Sequence, residues 1–300
     1  MWRLPEEDES DFSIIMPIEN AVTDRKKPQL LHSLMVNTLN FCSFAICHSP
    51  ASAGDTGNGP VRAGDVLVAV PGVHDGHVNV TALPSEDRIA TIADPKGTKT
   101  GMVMAIGLHY VQDYLLVLVG YESGYACVWK QHPASKQWQT TYTYKAHSQP
   151  VLSLDIAPAL GYFYTSSADA VIARHPLNDN TADTKTMQTK HAGQQSLTVR
   201  SDDKIFATAG WDGKVRVYSA KTLKELAVLK WHKEGCYALA FADLKANEDD
   251  SDNAARNPNT DGNVVRRTLT VSEQRSMRAK STHWLAAGSK DGKASLWDIY

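Results

Sequence analysis

Histidine, threonine and aspartate recur together in this chain at spacings that could support hydrolytic chemistry. His147 lies 22 residues before Asp169, and Thr165 lies four residues before the same aspartate. The same residue types recur at almost the same spacing as His191, Thr208 and Asp212. An imidazole base, a hydroxyl and a carboxylate are the groups of a nucleophilic triad. They are also the groups of a buried hydrogen-bond network, because a buried carboxylate must be supplied with donors.

Repetition favours a structural role for these residues over a catalytic one, since an active site is not ordinarily rebuilt every 43 residues. Each set also ends in a ring six residues after its aspartate, namely His175 and Tyr218. A third set near the C-terminus consists of His232, Asp291 and Trp297. Ala287 stands there in place of a threonine. The sequence therefore predicts no catalytic residue and no cofactor, and assigns these side chains to networks that stabilise the fold.

Each aspartate lies in a turn between two short strands of alternating hydrophobicity. The pattern is seen in "FATAGWDGKVRVYS" and "LAAGSKDGKASLWDI", and in weaker form in three earlier stretches. Successive turns fall at Asp75, Ser123, Asp169, Asp212 and Asp291. The first three intervals are 48, 46 and 43 residues, and the last is 79 because it contains a polar insertion. A period of about 40–45 residues with strand–turn–strand content is typical of a four-stranded propeller blade.

Two polar segments interrupt the strand pattern, near residues 49–65 and 245–281. Both are rich in Gly, Pro, Asn and Asp and poor in apolar residues, which predicts disorder. Both follow the first strand of a unit, so we expect them to project from the same, lower face. The second contains a basic cluster of Arg266, Arg267, Arg275, Arg278 and Lys280. Such a cluster is a nuclear localisation segment, a contact for an acidic partner, or a solvated charged surface; the last is the commonest case.

Composition and charge limit the classes of function. The net charge of −2 gives no general attraction for nucleic acid or anionic membranes, and no apolar run reaches the roughly 18 residues of a membrane span. The start of the chain is acidic and lacks the apolar core of a secretory signal. Cys42, Cys47 and His48 raise the question of zinc, but they lie in a strand-like stretch without a second ligand pair. The sequence therefore favours buried strand thiols and no metal site.

The repeated sets resemble the structural tetrads of WD repeats, in which a histidine, a hydroxyl, an aspartate and a tryptophan bond in series within one blade. More widely, the chain is similar to the fungal ASTRA-associated protein 1 family, relatives of the G-protein β-subunit-like proteins. The resemblance is carried by stretches such as "GTKTGMVMAIGLHY", "YKAHSQPVLSLDIAP" and "VLKWHKEGCYALAFADL". It implies a seven-bladed propeller and a non-catalytic nuclear subunit linked to chromatin, which is also compatible with a cytoplasmic pool. Implied partners are the ASTRA proteins: a PI3-kinase-related subunit, its co-chaperones and RuvB-like ATPases.

The chain departs from this family pattern because only five units can be counted. We assign residues 30–300 to the propeller and residues 1–29 to a polar segment, with "MWRL" as a remnant of a preceding blade. About two N-terminal blades are expected to be missing. Residues 28–34, "PQLLHSL", are the one spare strand that could complete the last blade. We expect an open or distorted arc rather than a closed five-bladed ring.

Trp211 and Trp231 are candidate partner-binding residues on the top face. Trp211 adjoins Asp212 in a turn, and Trp231 precedes His232. Exposed tryptophans often dominate protein interfaces, although packing against a neighbouring blade is the commoner role.

The scaffold function competes with two other functions. A channel-binding enzyme would need ionisable groups at the inner strands, and a ubiquitin-ligase adaptor would need an arginine where Tyr300 stands.

Overall fold

The chain folds almost entirely into antiparallel strands in a computed structural model, which describes residues 1–3, 28–50, 61–111, 114–132, 135, 137–244 and 270–299. A small sheet pairs β1 (Trp2–Arg3) with β2 (Gln29–Leu30). The remaining strands form five successive sheets, each a meander in chain order. The predicted all-β class and the count of five blades are confirmed.

Four blades have four strands each. Blade 1 contains β3 (Ala45–His48), β4 (Val66–Pro71), β5 (Val78–Leu83) and β6 (Asp87–Ile92). Blade 2 contains β7 (Val103–Val111), β8 (Tyr114–Tyr121), β9 (Tyr125–Gln131) and β10 (Trp138–Lys145). Blade 3 contains β11 (Val151–Ala157), β12 (Tyr162–Ser167), β13 (Val171–Pro176) and β14 (Lys185–Gln188). Blade 4 contains β15 (Gln194–Val199), β16 (Ile205–Gly210), β17 (Lys214–Ser219) and β18 (Glu225–Lys230).

Blade 5 has three strands in the part of the chain that the structure describes: β19 (Cys236–Phe241), β20 (Trp284–Ser289) and β21 (Ala294–Asp298). The first strand of each blade packs against that of the next, from β3 to β7, β11, β15 and β19. No comparable contact joins blade 5 to blade 1 among the described residues. The blades therefore form an incomplete propeller, as expected for an open arc.

The turns between the second and third strands follow from the residues that form them. Gly213 has a φ of 74°, a conformation that glycine adopts without steric cost. A Cβ atom at this position would lie 2.8 Å from the carbonyl oxygen of Glu234, so glycine also permits the turn to touch the loop before blade 5. Asp212 accepts a hydrogen bond from the Lys214 amide and closes the turn. The Asp-Gly pair is therefore required by both backbone and packing.

Aromatic stacking and hydrogen bonds join blade 3 to blade 4. The rings of Tyr164, Phe206 and Tyr218 stack in series, with centroid distances of 4.7 and 5.2 Å. The Tyr164 hydroxyl donates to the Ala220 carbonyl at 2.8 Å. Asp155 of β11 accepts from the Val199 amide of β15 at 2.7 Å, so the innermost strands are also tied together. Contacts of this type stabilise a repeat protein from one unit to the next.

The structure decides one open alternative about the edges of the fold and corrects one expectation. Closure of the ring by residues 28–34 was the alternative to the expected arc, but Gln29 and Leu30 pair with Trp2 and Arg3 instead of with β21. The later insertion was expected to be disordered up to residue 281, but helix α1 (Val271–Ser281) occupies its last part. Thr270 and Glu273 form a capping box, whose signature is visible in the sequence as Thr-x-x-Glu. Residues 51–60 and 245–269 of the two insertions lie outside the described residues.

In those parts that the structure describes, no helix has the length and apolar character needed to cross a membrane.

The insertions after β3 and after β19 both follow the first strand of a blade. We call the opposite side the top face. It is formed by the loops before β11, β15 and β19 together with the β12–β13, β16–β17 and β20–β21 turns.

Candidate functional site

A continuous hydrogen-bond network runs through blade 3 beneath the top face. Asp169 lies 3.2 Å from His147 Nδ1, and His147 Nε2 lies 2.8 Å from the Thr165 hydroxyl. The same hydroxyl lies 2.8 Å from His175 Nε2. The chain continues from His175 Nδ1 to the Tyr142 hydroxyl of blade 2 at 2.8 Å. The structure thus brings all four residues of this expected set together and extends it into the neighbouring blade.

One assignment of protons satisfies every link in this network. With both imidazoles neutral, His147 donates to Asp169 through Nδ1 and accepts from Thr165 at Nε2. Thr165 accepts from His175 Nε2–H, and His175 Nδ1 accepts from the Tyr142 hydroxyl. Complete burial is the main cause that lowers the pKa of His175 to about 3. The His175 ring therefore remains neutral at physiological pH.

The carboxylate at the end of the network is stabilised by several donors. Burial alone would raise the pKa of Asp169, but hydrogen bonds from His147 and from the amides of Ser148 and Val171 lower it to about 2. The Ser148 and Val171 amides donate at distances of 2.9 Å. A carboxylate with this many donors is held in the ionised form.

Burial separates this network from hydrolytic chemistry. Thr165 is completely buried and His147 is 2% exposed, so a substrate could not reach the hydroxyl. The hydroxyl is also held between two imidazole nitrogens, and its proton already has an acceptor. A nucleophile must approach its substrate as well as its base. The arrangement is suited to a blade-stabilising role and not to acyl transfer.

Blade 5 contains a closely similar network with its hydroxyl on a different strand. His232 Nδ1 lies 3.2 Å from Asp291, and His232 Nε2 lies 2.9 Å from the hydroxyl of Ser295. Trp297 donates its indole N–H to the same hydroxyl at 2.9 Å. Ser295 of β21 lies directly across from Ala287 of β20, where the threonine was missing. Sequence reasoning missed Ser295, although a serine at this position across from Ala287 was the signal that could have identified it.

Blade 4 does not form the expected network. His191 Nδ1 lies 4.0 Å from Asp212, and its side chain is 40% exposed. The Thr208 hydroxyl donates instead to the buried Gln194 side chain at 2.7 Å. Gln194 in turn donates to the His191 carbonyl at 3.0 Å. The glutamine amide therefore occupies the position beside Thr208 that the sequence pattern assigned to the His191 imidazole. Tyr218 contributes its buried ring to the stack with Phe206.

Asp212 of blade 4 is paired with a buried arginine. Arg216 donates from both terminal nitrogens to the two carboxylate oxygens, at 3.2 and 2.6 Å. The Arg216 side chain is 2% exposed, and Glu225 lies 3.7 Å from its Nε. Burial would raise the pKa of Asp212, but the Arg216 guanidinium and the Lys214 amide and ammonium lower it. The expected histidine–aspartate contact is therefore replaced by a bidentate ion pair.

Trp211 and Trp231 lie on the top face beside the boundary of blades 4 and 5. Trp211 is 45% exposed, and its indole N–H donates to the Gln195 side chain at 2.9 Å. Trp231 is 52% exposed and packs edge-on against His232, with a centroid distance of 4.8 Å. Neither ring is enclosed between blades, so both remain available for contact with a partner.

A small cavity of about 260 Å³ lies among the innermost strands of blades 1 to 3. Its walls are mostly aliphatic, with His109 and Asp155 as ionisable groups. Burial lowers the pKa of His109 and raises that of Asp155. Asp155 already accepts from the amides of Ile156 and Val199, so its carboxylate serves to join β11 to β15.

The thiols of blade 1 are part of the core. Cys42 lies in the apolar cluster between blades 1 and 2, and Cys47 packs against that cluster. Burial raises the pKa of both thiols to about 12, so they are neutral, whereas zinc binds the thiolate. Within the described residues, no group of three or more His, Cys, Asp or Glu side chains is arranged to hold a metal ion.

The basic residues of the later insertion are divided by the structure. Arg275, Arg278 and Lys280 lie on helix α1, which has no buried residue. Arg278 lies 3.6 Å from Asp298 of β21, and the Trp284 indole donates to the Ala279 carbonyl. The helix is therefore attached to the end of blade 5. Arg266 and Arg267 lie outside the described residues.

Comparisons with known proteins agree with this architecture. The family described as "WD domain, G-beta repeat" matches residues 138–173, 184–219 and 279–298. Among solved structures, the computationally designed Ika8 protein is 18% identical with a TM-score of 0.50, over 85% of this chain and 57% of that one. At this identity the likeness is one of fold alone.

Several curated proteins are similar along the whole chain. ASTRA-associated protein 1 of Verticillium alfalfae is 46% identical over all of this chain and 74% of its own length. The protein of the same name from Penicillium rubens is 42% identical over all of this chain and 79% of its own length. Guanine nucleotide-binding protein subunit beta-like protein 1 of Mus musculus is 31% identical over 78% of this chain and 60% of its own length.

Proposed function

The chain belongs to the ASTRA-associated protein 1 family of WD-repeat proteins, and from this premise we propose that it is a non-catalytic scaffold subunit of an ASTRA assembly. The observation that carries the proposal is 46% identity, over the full chain, to a protein of that name. The geometry supports it, because the histidine, hydroxyl and aspartate sets of blades 3 and 5 are hydrogen-bonded within the blades. Fold alone does not determine function, so the assignment depends on the relatives.

The partners proposed are the PI3-kinase-related subunit, its co-chaperones and the RuvB-like ATPases, with a role in kinase assembly and chromatin remodelling. The place of action proposed is the nucleus, together with a cytoplasmic pool. Support comes from the exposed basic helix α1, which has the composition of a localisation or acidic-contact segment. A ubiquitin-ligase adaptor remains the alternative scaffold, but no contact among the described residues favours it.

Affinity purification tests this proposal directly. The tagged chain, expressed in a fungal host and purified at low salt, should bring down the RuvB-like ATPases and the kinase-related subunit in mass spectrometry. A tagged Leu226→Ala variant is a suitable control, because Leu226 is exposed on the outer strand of blade 4 away from the top face. Recovery of a folded protein with none of these subunits would contradict the proposal. Fluorescence microscopy of the same tagged chain tests its location.

A further inference from the structure

Three aromatic side chains are exposed on neighbouring segments of the surface at the boundary of blades 4 and 5. We call this surface the top-face aromatic patch; it consists of Trp211, Trp231 and Tyr237, each 45–52% exposed. The backbone of Trp211 and the ring of Tyr237 both lie against Gly235, where an added Cβ would lie 3.3 Å from Trp211 Cα and 2.9 Å from Tyr237 Cε2. The turn carrying Trp211 also touches the loop carrying Trp231, through Gly213 and the His232 carbonyl.

The patch is held in place by the residues beneath it. The Trp211 ring lies over Gly193, which has no side chain to displace it, and Gln195 fixes the indole N–H. Trp231 packs on His232, whose ring is fixed in turn by Asp291 and Ser295. Aromatic groups that are already ordered lose little conformational entropy when a partner binds.

The surroundings of the patch carry an excess of positive charge. Four exposed lysines lie in the adjoining loop and turn, and Lys293 sits 5.6 Å over the Trp231 ring. They are Lys230, Lys233, Lys290 and Lys293. In the described part of the chain, none of the four forms an ion pair. Of the nearby carboxylates, Asp212 is paired with Arg216, whereas Asp291 accepts a hydrogen bond from His232 and, like the exposed Glu234, keeps its negative charge.

We propose that the top-face aromatic patch and its four lysines bind an acidic protein segment that carries an apolar or aromatic anchor residue. The rings supply the apolar contact, and the lysines supply charge complementarity, which speeds association and favours acidic partners. The inference goes further than the proposed scaffold function and rests on it for its biological setting. Nucleic acid is disfavoured as the occupant, because the whole chain has a net charge of −2 and a pI near 6.6.

A fluorescence anisotropy titration of the full chain tests this inference. The probe is a fluorescein-labelled peptide of Asp and Glu residues with one central Phe. We expect saturable binding that weakens as salt increases. Lys233→Glu with Lys290→Glu should weaken it about tenfold, and Trp211→Ala with Trp231→Ala about thirtyfold or more. A matched control is Lys221→Glu with Lys224→Glu, which reverses two exposed lysines of the β17–β18 turn and should leave binding unchanged.

Several results would overturn the inference. These are equal binding of an acidic peptide without Phe, equal effects of the two lysine pairs, and tighter binding of a single-stranded oligonucleotide or of anionic phosphatidylserine vesicles. Circular dichroism melting curves identify any variant that fails to fold, and Trp211→Phe with Trp231→Phe then serves as the milder change, expected to retain part of the affinity. If the peptide does not bind but the assembly still co-purifies, the inference fails alone. If the peptide binds and the assembly is absent, the scaffold proposal fails alone.

Discussion

At the level of single residues, each of the three histidine-containing sets contains a turn aspartate that must be stabilised, and the blades stabilise it in two ways. Blades 3 and 5 stabilise the turn aspartate with an imidazole, and a hydroxyl links this imidazole to a further ring nitrogen. Blade 4 stabilises Asp212 with the guanidinium of Arg216 instead. The two solutions respond differently to mutation and to pH, and they can therefore be distinguished experimentally.

The ion pair of blade 4 predicts strong non-additivity. Asp212→Ala should lower the free energy of unfolding by about 2–4 kcal/mol, because Arg216 would remain buried with only the more distant Glu225. Adding Arg216→Met should recover much of this loss, since no unpaired charge then remains inside. Urea unfolding of the single and double variants measures both effects.

His191→Ala is the control for this cycle, because the His191 side chain is exposed and 4.0 Å from Asp212. Its effect should stay within about 0.5 kcal/mol. A large loss of stability in His191→Ala would show that the histidine, and not only the ion pair, stabilises blade 4. An Asp212→Ala effect below about 0.5 kcal/mol would show that the buried pair does not stabilise it.

The buried imidazole of blade 3 predicts a dependence of stability on pH. Burial lowers the pKa of His175 from 6.5 to about 3, so between these values the unfolded chain binds a proton that the native protein does not. Stability from this group is complete above pH 6.5 and is lost as the pH falls. Between pH 7 and pH 5 the loss should be about 2 kcal/mol.

His175→Phe removes the titrating group and keeps a ring that can stack on Phe163. The variant should be less stable at pH 7, but the difference from the wild-type protein should shrink by about 2 kcal/mol at pH 5. Urea midpoints at the two pH values give the comparison. Parallel losses in both proteins would mean that His175 is protonated in the native state.

At the level of elements, blade 5 shows that the network depends on a position across two strands. Ser295 of β21 faces Ala287 of β20, whereas in blade 3 Thr165 of β12 faces Ala173 of β13. The hydroxyl has thus moved to the opposite strand, and His232 still reaches it. Cross-strand neighbours on the same face lie close enough for one to replace the other.

This exchange predicts a rescue. Ser295→Ala should destabilise the protein by about 1–3 kcal/mol, because the partly buried ring nitrogens of His232 and Trp297 lose their shared partner. Adding Ala287→Thr should restore part of the loss by returning a hydroxyl to β20. Ala287→Val on the same background is the matched control without a hydroxyl. Equal thermal unfolding temperatures for the Thr and Val variants would rule out the exchange.

The sequence could predict what depends on local pattern and could not predict what depends on packing. Asp212-Gly213 and the strand alternation around it were sufficient to predict the hairpin, because turn geometry is a local property. The replacement of the His191 ring by Gln194 depends on which side chain fits beneath the turn. The sequence does not distinguish Arg216 from an exposed strand arginine, and only the structure shows that it is buried. Helix α1 was missed, although its capping box is a local signal.

At the level of the whole molecule, five blades form an open arc. Few reactive side chains of these blades are accessible on its top face. The histidine, hydroxyl and aspartate groups of blades 3 and 5 are joined in hydrogen-bond networks, and Asp155, which lines the cavity among blades 1 to 3, joins two blades. The top-face aromatic patch is exposed, and contacts beneath it hold Trp211 and Trp231 in place. The proposed scaffold function therefore predicts that partner binding and stability can be separated by mutation.

Capture of ASTRA subunits by Trp211→Ala with Trp231→Ala is the most direct measurement of this separation. Quantitative mass spectrometry should show much weaker recovery of partner subunits than with the wild-type chain, because the exposed rings would supply the central contacts. The thermal unfolding temperature should change little, since both rings lie about half exposed on the surface. Unchanged capture, or a sharp fall in the unfolding temperature, would show that these tryptophans pack the blades and do not bind a partner.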